Sequence, residues 1–178
     1  VVTDGMVDSL VASGALRGDA RAPLGRVRTG VAVCSGQARP DVASAEGLKA
    51  ALLAADAIYF PDPQRATAGI HFAAVMRELG IHDELAPRFR TFPSGAAAMR
   101  EMAALNAPRL IGCTQVTEIN YTDGVDLVGP LPARFELATG YSAAVSARAD
   151  APELAARFMQ MLAGPAALAL RQAGGFEA

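Results

Sequence analysis

The sequence predicts an α/β fold with mostly parallel sheets covered by helices. Three observations carry it. Short apolar segments of strand character alternate along the chain with segments of helical periodicity. Ala57-Ile58-Tyr59-Phe60 reads as a buried strand that runs through a polar loop into a helix, where Phe72, Val75, Met76 and Leu79 fall on one face. Apolar residues make up 52% and charged residues 19% of the 178 positions, which suits a chain that buries a core.

Taken in order, Val1–Thr3 is a strand end. Met6–Leu16 reads as a helix with Met6, Val7, Leu10 and Val11 on one face. Arg17–Leu24 reads as a polar connection, and Val27–Cys34 as a strand ended by Ser35-Gly36. Ser44 caps a helix over 45–54. Thr67 is the N-cap expected for the helix after Phe60, and Gly80 is its stop. A short strand over 88–92 leads through Pro93-Ser94-Gly95 into a helix over 96–105, with Met99 and Met102 inward. Arg109–Thr114 is a buried strand, and Gln115–Tyr121 a short helix or turn. Val125–Val128 is a strand, and 135–147 is rich in strand formers. Pro152 opens a helix with Leu154, Phe158, Met161 and Leu162 at helical spacing. A last helix runs from Pro165 to Ala173. No repeat of fixed period is visible.

Composition excludes several functions. A net charge of −2 offers nothing to nucleic acid or an anionic membrane. No apolar run reaches the roughly 18 residues of a membrane span. Cys34 and Cys113 lie in separate apolar stretches outside any Cys/His cluster, so both read as buried thiols rather than a disulfide or a zinc site. No metal ligand set, catalytic pair or cofactor is expected.

In parallel α/β sheets, ligands bind beyond the carboxyl ends of the strands. Four turns belong on that rim: Thr3-Asp4-Gly5, Thr67-Ala68-Gly69, Pro93-Ser94-Gly95 and Cys113-Thr114-Gln115. Each sets small, hydroxyl or amide residues at or near a helix start. There, backbone N–H groups lack intrahelical partners and the helix dipole favours an anion. Together they describe a pocket of neutral donors.

The chain resembles the periplasmic molybdate-binding proteins, type II solute-binding proteins of ABC importers. The resemblance spans essentially all 178 residues. It rests on Asp62-Pro63 through Ala68-Gly69-Ile70, Glu78-Leu79-Gly80-Ile81, Ile111-Gly112-Cys113-Thr114-Gln115, Gly124 through Pro132, and Leu162 through Ala167. It implies a two-lobe periplasmic-binding-protein type II fold with a ligand cleft between the lobes. The first lobe would be incomplete, comprising residues 1–34 and a return over 124–178, with the second lobe over 35–123. The opening Val1-Val2-Thr3-Asp4-Gly5 reads as the second half of a strand, so an N-terminal part is expected to be missing.

The same likeness implies oxyanion contacts at the Ala68 N–H and at Gly95, with Ser94 beside it. Gln115 stands where the family carries a tyrosine, so an amide replaces a phenol. Thr3, Thr67 and Thr114 complete the candidate ligand-binding set. A fully deprotonated oxyanion needs donors only, whereas a protonated one also wants an acceptor. Asp62 is the nearest acceptor, or else a turn-forming Asp-Pro. Ser94 is a ligand contact or an N-cap. Arg65, His71 and His82 read as surface groups, and Tyr141 as core.

The implied function is capture of a small anion, a molybdate- or tungstate-type oxyanion or a small carboxylate. The implied setting is a monomer in the periplasm that serves the membrane subunits of an ABC importer. The alternative is an isomerase of a small polycarboxylate, aconitate-isomerase-like, which needs a base from among Asp4, Asp62, Glu118 and His71.

Overall fold

The computed structural model describes residues 1–177. In chain order the elements are β1 (Val2–Thr3), α1 (Asp4–Ala12), β2 (Leu16–Cys34), α2 (Ala45–Ala54), β3 (Ala57–Pro61) and α3 (Thr67–Glu78). The short α4 (His82–Leu85), β4 (Phe89–Phe92), α5 (Gly95–Leu105), β5 (Leu110–Gln115) and α6 (Val116–Asn120) follow. The chain closes with β6 (Val125–Pro130), β7 (Ala138–Ser146), α7 (Pro152–Ala163) and α8 (Leu168–Gly174). These elements pack into two units. One holds Val1–Val27 and the segment from Ala138, the other Arg28–Leu137.

In the first unit β1 runs antiparallel to β7, with Val2 opposite Ser142 and Thr3 opposite Tyr141. The first half of β2 pairs with β7. The segment expected to be a polar connection, Arg17–Leu24, is therefore strand. Its signal is alternation of a kind easily missed: Ala20, Ala22 and Leu24 turn inward, while Arg17, Asp19 and Arg21 turn to solvent. Arg17 pairs with Asp19, and Arg21 with Asp8 on α1. Alanines also decide α7. The residues packed on the core of this unit are Ala155, Ala156, Met159, Leu162 and Ala163, which share one helical face. Leu154, Phe158 and Met161, the larger apolar stripe, are exposed. Helix α1 also departs from expectation. It starts at Asp4 and ends at Ala12, and only Val7 of its apolar residues is buried.

The second unit is built on the strand order β6-β2-β5-β3-β4. The pairs β3–β4 and β3–β5 are parallel. The later half of β2 runs antiparallel to both β5 and β6. Four of its five strands thus run in one sense, and β2 alone, lying between β6 and β5, runs against them. Both faces are covered, which is why β3 and β5 read as continuous apolar runs. Val31, Ile58, Phe60, Ile111 and Cys113 face one layer, made by α2 and α3. Ala32, Cys34, Ala57, Tyr59 and Leu110 face the other, made by α5. Phe60 sits edge-on to both Phe72 and Phe89, with ring centroids 5.5 and 5.1 Å apart. Ser44 caps α2 through its side chain, and Gly80 takes the left-handed conformation (φ 70°) that ends α3. Both cysteines are free and buried, and burial pushes the Cys113 thiol well above its ordinary value.

Asp126 locks the turn after β2. Its carboxylate accepts from Ser35 Oγ at 2.8 Å and Gly36 N at 3.4 Å, and Arg39 lies 3.6 Å away. The Ser35 hydroxyl, then the Gly36 amide, hold its pKa below the ordinary carboxylate value. A depressed folded-state pKa contributes stability that is present above the unfolded value of about 4 and lost as pH falls through the folded one. Asp126→Asn is therefore expected to flatten the acid-side dependence of the urea midpoint and leave its neutral-pH slope unchanged. Phe60→Ala is expected to lower the unfolding free energy by about 3–5 kcal/mol in the same urea measurement.

Candidate functional site

Strands β3, β4 and β5 end level with one another. Pro61 pairs with Phe92, and Tyr59 with Gly112, which puts Asp62, Pro93 and Gln115 at one edge. Neighbouring strands lie about 4.8 Å apart, so groups leaving them at this edge share a rim. Helices α3 and α5 both start here, on opposite faces of the sheet.

The two helix starts differ. Helix α3 has Ala66 as N-cap, no side-chain cap and no acidic residue in its first turn. Ala66 N binds Asp62 O and Ile70 N binds Ala66 O, so the helix begins one residue earlier than a Thr67 cap would allow. Thr67 becomes its first residue. Ala68 is 4% exposed and Gly69 is buried. A Cβ on Gly69 would lie 2.2 Å from Pro61 O and 2.4 Å from Asp62 O, so glycine lets the helix close onto the end of β3. Asp62 Oδ1 accepts from Gln64 N at 2.7 Å, which makes it the turn former rather than an acceptor for a guest.

Helix α5 is closed by its own chain. Ser94 Oγ accepts from Ala97 N at 3.2 Å, and Glu118 Oε1 accepts from Ala96 N at 3.1 Å. Thr114 Oγ1 donates to Glu118 Oε2 at 2.5 Å. Gly95 leaves room for this pair, since a Cβ there would lie 1.7 Å from Thr114 Oγ1 and 2.1 Å from Glu118 Oε2. Ser94 is thus an N-cap, and the fully buried Thr114 is turned to Glu118. The signal for Glu118 was an acid three residues after Gln115, in the first turn of α6 at the same rim.

Gln115 is 6% exposed and sits opposite Thr29 across the β2–β5 pair, so the two side chains lie on the α3 face. Sequence reasoning passed over Thr29, a single hydroxyl in an apolar strand. It is buried, and its hydroxyl has no hydrogen-bond partner among the described residues.

Thr3 belongs to the first unit, where its hydroxyl caps α1 by accepting from Met6 N at 3.3 Å. Asp4 Oδ1 accepts from Ser142 Oγ at 2.7 Å. His71 Nε2 meets Phe135 O at 2.7 Å, and since a carbonyl only accepts, that nitrogen donates. His82 binds Asp83 and packs edge-on against Phe89. Arg65 is exposed, and Tyr141 packs against Phe176. The described residues hold no His/Cys/Asp/Glu group able to bind a metal, and none of their helices is long and apolar enough to cross a membrane.

A family model described as bacterial extracellular solute-binding protein matches residues 1–177, and the chain belongs to that family. A protein named aconitate isomerase from a Pseudomonas species is 28% identical over 173 residues, covering 94% of this chain and 63% of its own length. The chain therefore spans less than two thirds of that relative. The periplasmic molybdate-binding protein of Azotobacter vinelandii superposes with a TM-score of 0.76 at 20% identity, covering 99% of this chain and 75% of that one. A sulfate-binding protein of Mycobacterium tuberculosis superposes with a TM-score of 0.66 at 16% identity, covering 97% and 65%. At these identities the two structures establish the shared fold.

Gly69→Ala is expected to destabilise by about 1–3 kcal/mol, because backbone oxygens rather than flexible side chains meet the new methyl. Gly5→Ala in α1 meets nothing within 4 Å and is expected to stabilise by about 0.4–1 kcal/mol in the same urea titration.

Proposed function

We propose that this bacterial extracellular solute-binding protein captures a small anion at the rim of its second unit. The guest is an oxyanion of the molybdate or sulfate kind or a small carboxylate. The chain works in the periplasm as a monomer and hands the guest to the membrane subunits of an ABC importer. The observation that carries this reading is the start of α3, where Ala68 and Gly69 are buried and no side chain caps the helix. Its first N–H groups, those of the exposed Thr67 and the buried Ala68 and Gly69, meet no side-chain cap, and a buried amide left unmatched costs about 1–3 kcal/mol. An anion seated there answers that demand and meets the positive end of the helix dipole. The Gln115 amide and the Thr29 hydroxyl extend the same face. Ser94, Gly95 and Thr114 build the wall beside it.

A second reading, an isomerase of a small polycarboxylate, is favoured by the likeness to the protein named aconitate isomerase. Binding is preferred because each candidate base is already held. Asp4 accepts from Ser142, Asp62 from Gln64 N, Glu118 from Ala96 N and Thr114, and His71 donates to Phe135 O. The two readings share the guest site and differ in turnover.

Thermal shift against molybdate, tungstate, sulfate and a panel of di- and tricarboxylates is expected to show stabilisation by at least one anion, and NMR of the mixture to show the guest unchanged. Consumption of a carboxylate would establish the isomerase. Thr67→Pro places proline at the first helical position, where it is tolerated, and removes one donor. Anion affinity is expected to fall about tenfold with the helix retained by circular dichroism.

A further inference from the structure

We infer that Asp123-Gly124 is a site of spontaneous modification, where the folded chain converts aspartate to isoaspartate, and that the fold protects the same dipeptide at Asp4-Gly5. The sequence carries Asp-Gly at these two places and has no Asn-Gly. Glycine is the neighbour that permits the reaction, because without a Cβ its amide can approach the aspartate side chain closely. Local structure then decides which of the two reacts. Asp123 and Gly124 are exposed and form the turn between α6 and β6, with Gly124 at φ 88°. Among the described residues the Asp123 carboxyl has no hydrogen-bond or ion-pair partner, and neither the C=O nor the N–H of the peptide joining it to Gly124 is engaged. The turn is anchored only past that peptide, where Gly124 O accepts from Ser35 N at 2.9 Å and Val125 pairs with Cys34. The peptide is therefore free to rotate its nitrogen towards the Asp123 side chain, as an exposed loop tip allows.

Asp4-Gly5 is also exposed, but it is held. The pair opens α1 behind the Thr3 cap, so its peptide lies in the first helical turn. Gly5 O accepts from Ser9 Oγ at 3.2 Å, and Asp4 Oδ1 accepts from Ser142 Oγ at 2.7 Å. Asp4 Oδ2 lies so close over Gly140 that a Cβ there would come within 2.2 Å of it. Reaction here must first break the Ser142 bond and open the helix start.

The step balances without a co-reactant other than water. Gly124 N attacks Cγ of Asp123. An N–C bond forms and a Cγ–O bond breaks. The departing oxygen leaves as water with its own proton and the amide proton, which closes a succinimide. Water then adds back at either ring carbonyl. Opening at the carbonyl that was in the main chain routes the chain through Cγ, which is isoaspartate. Nothing is oxidised or reduced, and the mass is unchanged. The main chain gains one methylene beside the Ser35–Gly124 bond and just ahead of Asp126, so the change falls on the turn after β2.

The test ages the purified chain at neutral pH, below its unfolding transition and in parallel in urea. Peptide mapping by mass spectrometry, with fragmentation that separates isoaspartate from aspartate, follows both sites. In the folded chain isoaspartate is expected to accumulate at 123 about tenfold faster than at 4, the ratio that the loss of one hydrogen bond at the α1 start corresponds to. In urea the two rates are expected to converge. Asp123→Glu lengthens an exposed side chain that touches no partner, and it is expected to abolish the product at 123 with the circular dichroism unchanged. Equal rates at the two sites in the folded chain would overturn the inference. So would earlier product at 4, or none at 123 under conditions where the urea-unfolded chain forms it. Should Asp123→Glu not fold, the wild-type maps with and without urea decide.

Discussion

A helix start that buries its second and third residues, Ala68 and Gly69, without a side-chain cap is the constraint on which the second unit turns. Four N–H groups at any helix start need partners from outside the helix. At α5 side chains supply two of them, Ser94 for Ala97 N and Glu118 for Ala96 N. At α3 the chain supplies none from a side chain, and it buries Ala68 and Gly69 all the same. Folding tolerates this because the sheet beneath is packed on both faces, with Phe60, Phe72 and Met76 on one side and Met99 and Met102 on the other. The stability gained by that burial holds the start of α3 in place without a side-chain cap, so under the proposed function its donors are arranged before a guest arrives.

The geometry that makes this possible is simple. Three parallel strands end level, and the glycines at 69 and 95 let the helices press against the strand ends. Gly69 brings α3 onto the carbonyls of Pro61 and Asp62, whereas Gly95 makes space for a carboxylate. Two similar strand-to-helix turns thus acquire opposite electrostatic character: one is open to a negative charge, and the other already contains one.

Much of this was legible in the sequence, and the failures have physical causes. The β3–α3 unit, the Ser44 cap, the Gly80 stop and the inward methionines of α5 followed from periodicity and capping chemistry. The first half of β2 was missed because its inward face is mostly alanine, which carries little hydrophobic signal beside Arg17, Asp19 and Arg21. The same cause hid the packed face of α7, where half-buried alanines pack beside the buried Met159 and Leu154, Phe158 and Met161 are exposed. At the rim, the importance of the Thr67-Ala68-Gly69 turn was readable, but which hydroxyls were already engaged was not. Ser94 and Thr114 look like free donors in a sequence. Only folding brings Ala97 N to one and Glu118 to the other. Thr29 escaped notice because its position opposite Gln115 is a matter of strand register.

The most direct measurement is an amide NMR titration of the isotope-labelled protein with the anion that stabilises it most. The account predicts that the backbone amides of Thr67, Ala68 and Gly69 shift downfield with saturation, together with the side-chain amide of Gln115. Saturable shifts confined to other residues, with the start of α3 unmoved, would contradict it.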